Sequence, residues 1–106
     1  MTNPIKTIKL NNLQYNSNRD PQVFRRVVNK PFRLQVILGG TGNANVTLTT
    51  GDNTLSQQTV NLPGTFDCDV KFDTAASHLG TVSVEVNGET FKDYVRFDVT
   101  DGPWHV

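Results

Sequence analysis

Cysteine is almost missing from this chain: Cys68 is the only one in 106 residues. No intrachain disulfide can form, and a cysteine-rich zinc framework is excluded. Long apolar runs are missing too, so the sequence offers neither a signal-peptide core nor a membrane span. That predicts a soluble chain not exported by the usual route, either cytoplasmic or the mature fragment of a secreted protein. Helical periodicity is the third lack. No window beyond about ten residues keeps apolar positions at a 3.6 period, and Val and Thr dominate where order is expected.

What remains is a β pattern. Thr81 to Val99 contains two alternating apolar runs that meet at Asn87-Gly88, a dipeptide that favours a two-residue hairpin turn. With those two residues as the loop, Val86 faces Glu89, Val84 faces Phe91 and Val82 faces Asp93. Val82, Val84, Val86, Phe91, Val95, Phe97 and Val99 then share one face. Phe32, Leu34, Val36 and Leu38 alternate with Arg33, Gln35 and Ile37 and predict a central strand. Phe66, Cys68, Val70 and Phe72 alternate with Asp67, Asp69, Lys71 and Asp73, which gives one apolar and one charged face.

Ile5 to Leu10 predicts a first strand and Val23 to Val28 a short one before Pro31. Gly39 to Asn43 reads as an interstrand loop, Pro63-Gly64 as a turn, and Thr74 to Gly80 as a loop with at most one helical turn. About seven short strands with turn signals every eight to twelve residues fit an antiparallel sandwich. The fold class expected is therefore all-β, an immunoglobulin-like antiparallel β-sandwich in one domain over 1–106. Residues 1–30 form a polar, basic amino-terminal strand and loop, 31–100 the sandwich core and 101–106 a tail.

The run FDCDVKFD, followed by GTVSVEVNG and a strand ending at Asp101, resembles bacterial immunoglobulin-like and fibronectin-type domains. The resemblance covers roughly 30–100 and is one of architecture, so it implies a fold and no functional residues. The antibody-type pair of cysteines around a buried Trp is missing, since the only Trp is Trp104.

Net charge is zero, but the charges are segregated along the chain. Residues 1–33 hold seven basic residues against Asp20, a balance of +6, and 34–106 hold three against nine acids, a balance of −6. Such asymmetry points to a charged partner or to self-association. Arg25, Arg26, Lys30 and Arg33, flanked by Phe24 and Phe32, could hold single-stranded nucleic acid by phosphate contacts and stacking. A neutral chain argues against it, and a strand edge guarded by charge explains the cluster as well.

Other motifs reduce to structural readings. Asp67, Asp69 and Asp73 share a strand face, but neighbours on that face stand about 6.5–7 Å apart, too far to converge on a cation unaided. Cys68 has core parity and should behave as a small hydrophobe. His78 and His105 form no close-spaced pair for zinc. Gly39-Gly40-Thr41-Gly42 lacks the Lys-Ser/Thr ending of a phosphate loop.

The function expected is a non-catalytic protein-binding or assembly module, with Tyr15, Arg19, Arg25, Arg26 and Trp104 as partner contacts and Trp104 tucked over the end of the sandwich. The alternatives are a structural subunit of a larger secreted or viral assembly, or an accessory ligand-binding subunit beside an enzyme. No enzyme activity, cofactor, metal or small-molecule substrate is expected. An active enzyme would need His78 within reach of an acid such as Asp73.

Overall fold

The computed structural model describes residues 3–15 and 24–101. It is all-β, and no α-helix occurs among the described residues. None is therefore long and apolar enough to cross a membrane.

At the Asn87-Gly88 turn both residues take positive φ, 53° and 82°, as a hairpin turn matched to the right-handed twist of its strands requires. Strands β6 (Ala76–Val86) and β7 (Glu89–Thr100) pair antiparallel, with Val86 opposite Glu89, Val84 opposite Phe91 and Val82 opposite Asp93. Val82, Val84, Val86, Val95, Phe97 and Val99 are buried, while Phe91 is half-buried. The loop expected before this hairpin is shorter than the sequence suggests, because β6 already begins at Ala76 and pairs with Val99.

The second hairpin departs further from expectation. Strands β4 (Phe32–Thr50) and β5 (Asn53–Val70) run continuously through the segments that read as a loop and a turn. Between Leu38 and Gly42 the register shifts, so that Gly39, Gly40 and Thr41 stand against Pro63 alone. Gly40 and Gly42 have φ of 97° and 96°, and the Leu62-Pro63 peptide is cis. A bulge of this kind adds twist and bends a strand without ending it. The bend is sharp enough that the Gln58 side-chain amide donates to the backbone carbonyl of Asp67, nine residues along the same strand, at 3.0 Å.

Each half of β4 therefore has different neighbours. Its first half pairs with β1 (Ile5–Leu10) and its second half with β6. Two short strands, β2 (Leu13–Gln14) and β3 (Arg26–Val27), finish the edges. The order is β2-β1-β4-β6-β7-β3, with β5 on the other side of β4. Because β3 runs parallel to β7, the sheet is mixed. The expectation of purely antiparallel pairing is corrected: the strands form one mixed sheet curled into a half-barrel. The cause is physical: β4 and β5 turn the corner themselves instead of ending there.

Curling places the first half of β4 over β7, with the Phe32 and Phe97 rings edge-on at 5.1 Å. Phe72 joins them, 5.3 Å from Phe97. Ile8 and Leu10 of β1, Leu34, Val36, Val46 and Leu48 of β4, and Phe66 of β5 complete one continuous core. Gly80 of β6 makes room for it, since a Cβ there would lie 2.6 Å from the Phe97 ring. The amino-terminal strand and Phe24 belong to this core, so part of the basic segment is integral to the fold.

Candidate functional site

Of the five expected contact residues, Arg19 and Trp104 lie outside the described residues, so the tucked position of Trp104 does too. The other three sit close together at the β3 end of the curl. Tyr15 follows β2, is half-buried, and packs its ring 5.4 Å from Phe24. Its hydroxyl accepts the backbone N–H of Arg96 at 3.1 Å, which ties the β1–β2 side of the half-barrel to β7. Arg25 donates its Nε to Asp98 at 2.7 Å, and Arg26 is half-buried in β3 with a guanidinium nitrogen 3.4 Å from the Arg25 carbonyl. Tyr15 and Arg25 thus both bridge the amino-terminal segment to β7.

The charge split along the sequence partly closes on folding. Arg25 pairs with Asp98 and Arg33 with Asp67, in each case a basic residue of the first third against an acid of the remainder. Among the described residues no group of three or more His, Cys, Asp or Glu gathers to hold a metal. His78 stacks on Phe72 with centroids 4.2 Å apart, and its Nε2 meets the Thr74 carbonyl at 2.9 Å. Asp73 accepts from the Thr74 hydroxyl.

Cys68 is half-buried and packs against the core. Burial pushes its thiol up from 9.0 to about 11; a hydrogen bond with Ser56 opposes the shift, and the Asp67 and Asp69 carboxylates add to it. Two consequences follow from the thiolate being the reactive form. At pH 8, alkylation by iodoacetamide should run about 100-fold slower than for a thiol of ordinary pKa, and a rate equal to that of free cysteine would contradict the burial. The folded chain also holds this proton more tightly than the unfolded one. The associated stability is full below the unfolded pKa near 9.0 and falls as pH rises through about 11.

Two surface features escaped the sequence reading. The first is on the outer face of the β6–β7 hairpin, where Tyr94 is 52 % and Leu79 54 % exposed. Tyr94 stands opposite Thr81 and Leu79 opposite Arg96, so the two large side chains are diagonal neighbours about 7–8 Å apart, with exposed Lys92 and Arg96 beside them. A groove of about 300 Å³, lined by Lys6, Gln14, Tyr15 and Asp93 among others, runs beside Tyr94. Exposure was the missing signal, because alternation assigns Tyr94 to the solvent face without saying that the other described residues leave it uncovered.

The second feature is the edge formed by the first half of β5. Asn53 to Leu62 carries no charged residue, whereas the exposed positions later on the same strand include Asp67 and Asp69. Hydrogen-bond phase can be followed from the tight hairpin turns. Val86 and Glu89 flank a two-residue loop, so the even positions 80 to 84 bond toward β7 and the odd ones toward β4. Val46 and Leu48 then bond toward β5, and the N–H and C=O groups of Gln57 and Thr59 point away from the sheet.

The chain matches no protein-family model, and no curated protein and no solved structure is significantly similar to it.

Proposed function

We propose that this chain is a non-catalytic binding or assembly module that works by contacting protein. The observation that carries the reading is the exposed Tyr94–Leu79 pair flanked by Lys92 and Arg96 on the rigid β6–β7 hairpin. Aromatic and arginine side chains supply much of the energy at protein interfaces, and a strand-borne face presents them without the cost of ordering a loop. Arg25 and Tyr15 support the reading in a different way, by fastening the elements that hold β7 in place. The immunoglobulin-like kinship belongs to the same proposal. Seven strands curled around one core favour it, while the parallel β3–β7 pair and the single sheet with its shared long strands set this chain apart.

The test is a photo-crosslinking residue, p-benzoylphenylalanine, placed at Tyr94 in the full chain and expressed in the native host. A discrete adduct, competed by unmodified protein and not formed when the same group replaces Gln35 on the opposite layer, is the expected result. Equal or absent crosslinking at the two positions overturns the reading.

A further inference from the structure

We infer that the Asn53–Leu62 edge of β5 pairs with the same edge of a second copy, antiparallel about a two-fold axis at Gln58. The inference rests on the assembly reading above and names the partner. An unpaired strand edge is a template for another strand, and natural proteins guard such edges with charge, bulges or covering segments. The open edges differ in this respect. On β7, the outward row includes Lys92 and Arg96, the Arg96 N–H is taken by Tyr15, and the Tyr94 N–H is taken by the Asp93 carboxylate. On the second half of β5, Asp67 and Asp69 are exposed, as is Lys71 just beyond it, and the Asp67 carbonyl is already bonded by Gln58.

Among the described residues, the first half of β5 has no charge and no covering segment, and its one irregularity, the register shift that leaves Leu55 without a partner on β4, lies next to the turn and outside the Ser56–Leu62 run. Among the described residues, the outward N–H and C=O groups of Gln57 and Thr59 meet no strand, because β5 pairs only with β4.

The absence of charge selects the occupant. In a two-fold antiparallel pair each residue faces one from its own segment, so a charged edge sets like charges near each other, which is destabilising. Ten uncharged residues avoid that in every register. An axis at Gln58 puts Gln57 opposite Thr59 and brings their free backbone groups into bonding phase. It also places Leu55, 38 % exposed, opposite Asn61. One strand pairing buries less than the roughly 1,200 Å² of a standard interface, so the dimer is weak and forms only as concentration rises. The contact is isologous and closes at two.

The experiment is light scattering of the full chain from micromolar to millimolar concentration, at low salt and at about 0.5 M salt. The expected result is a mass rising from one chain toward two, with the same midpoint at both salts. Gln57→Pro removes an outward N–H that β4 does not use, and it should leave circular dichroism unchanged while abolishing the dimer. Should the proline variant not fold, Gln57→Lys combined with Thr59→Lys decides, since it sets like charges opposite one another and should weaken dimerisation at least tenfold at low salt. A chain monomeric throughout, a mass beyond two, dissociation by salt, or an undiminished dimer in a folded variant overturns the inference. The Tyr94 crosslink is independent of all these outcomes: if it forms while the chain stays monomeric, the binding module stands and the β5 dimer falls.

Discussion

Truncating Phe97 to alanine should lower the stability of the fold by about 3–5 kcal/mol. The ring is fully buried and touches both Phe32 and Phe72, so it joins the first half of β4, the segment just after β5, and β7 at one point. Its removal leaves a cavity lined by elements from both sides of the curl. Gly80 cannot fill the space, because its missing side chain is what lets the ring approach β6 and Leu48. Urea unfolding monitored by circular dichroism gives the measurement. For a domain of this size, roughly 4–8 °C of thermal midpoint corresponds to each kcal/mol, so the variant should be largely unfolded at temperatures where the parent is intact. A loss under about 1 kcal/mol would mean that the ring is not in the core.

Gly64→Ala should be the most damaging of the glycine substitutions, costing about 1–3 kcal/mol toward the upper end of that range. A Cβ at Gly64 runs into the backbone carbonyl oxygen of Asn61 and stands 2.8 Å from Val60 Cγ1. Neither obstacle is free to move. Asn61 and Val60 are paired with Asn43 and Ala44 across the hairpin, and Val60 is buried. The comparison that isolates this cause is Gly39→Ala, on the other strand of the same bend. A Cβ there would lie 2.6 Å from Lys6 Cε, the far end of an exposed and flexible side chain that can swing away. The expected outcome is a large loss for Gly64→Ala and less than about 0.5 kcal/mol for Gly39→Ala. Equal losses would show that the bend resists any added atom, and the argument from backbone contact would fail.

These two sites also show what could be read from the sequence. The β6–β7 register was legible because Asn87-Gly88 admits few backbone geometries, and the valines on either side agree on a face. At Gly39–Gly42 and Pro63-Gly64 the same residue types misled. Glycine and proline mark places where the chain leaves ordinary strand geometry, and a bulge inside a long strand and a loop between two short ones both need that. Alternation on either side, Phe32 to Leu38 and Val46 to Leu48, is equally compatible with one strand or two. Only the partner strand, which crosses the same gap at Pro63, decides between them.

The β3–β7 pair was invisible for another reason. Parallel pairing links residues some seventy positions apart and leaves no turn signature. The candidate contacts shared that difficulty. Tyr15, Arg25 and Arg26 stand out in the sequence only as polar or basic residues in a polar segment, yet Tyr15 and Arg25 hold partners on β7 that sequence distance conceals. Tyr94 and the uncharged edge were in plain view as residues, but their meaning depends on what the fold leaves uncovered.

The hairpin of β4 and β5 belongs to both sides of the curl at once, and this limits how the molecule can come apart. No cut divides the chain into two pieces that each keep a core, because the first half of β4 needs β1 and the second needs β6 while the peptide between them is a single strand. Opening the bend would withdraw one wall from both layers together. The half-barrel therefore behaves as a single cooperative unit, and the apolar surfaces on its two sides are exposed in the same event.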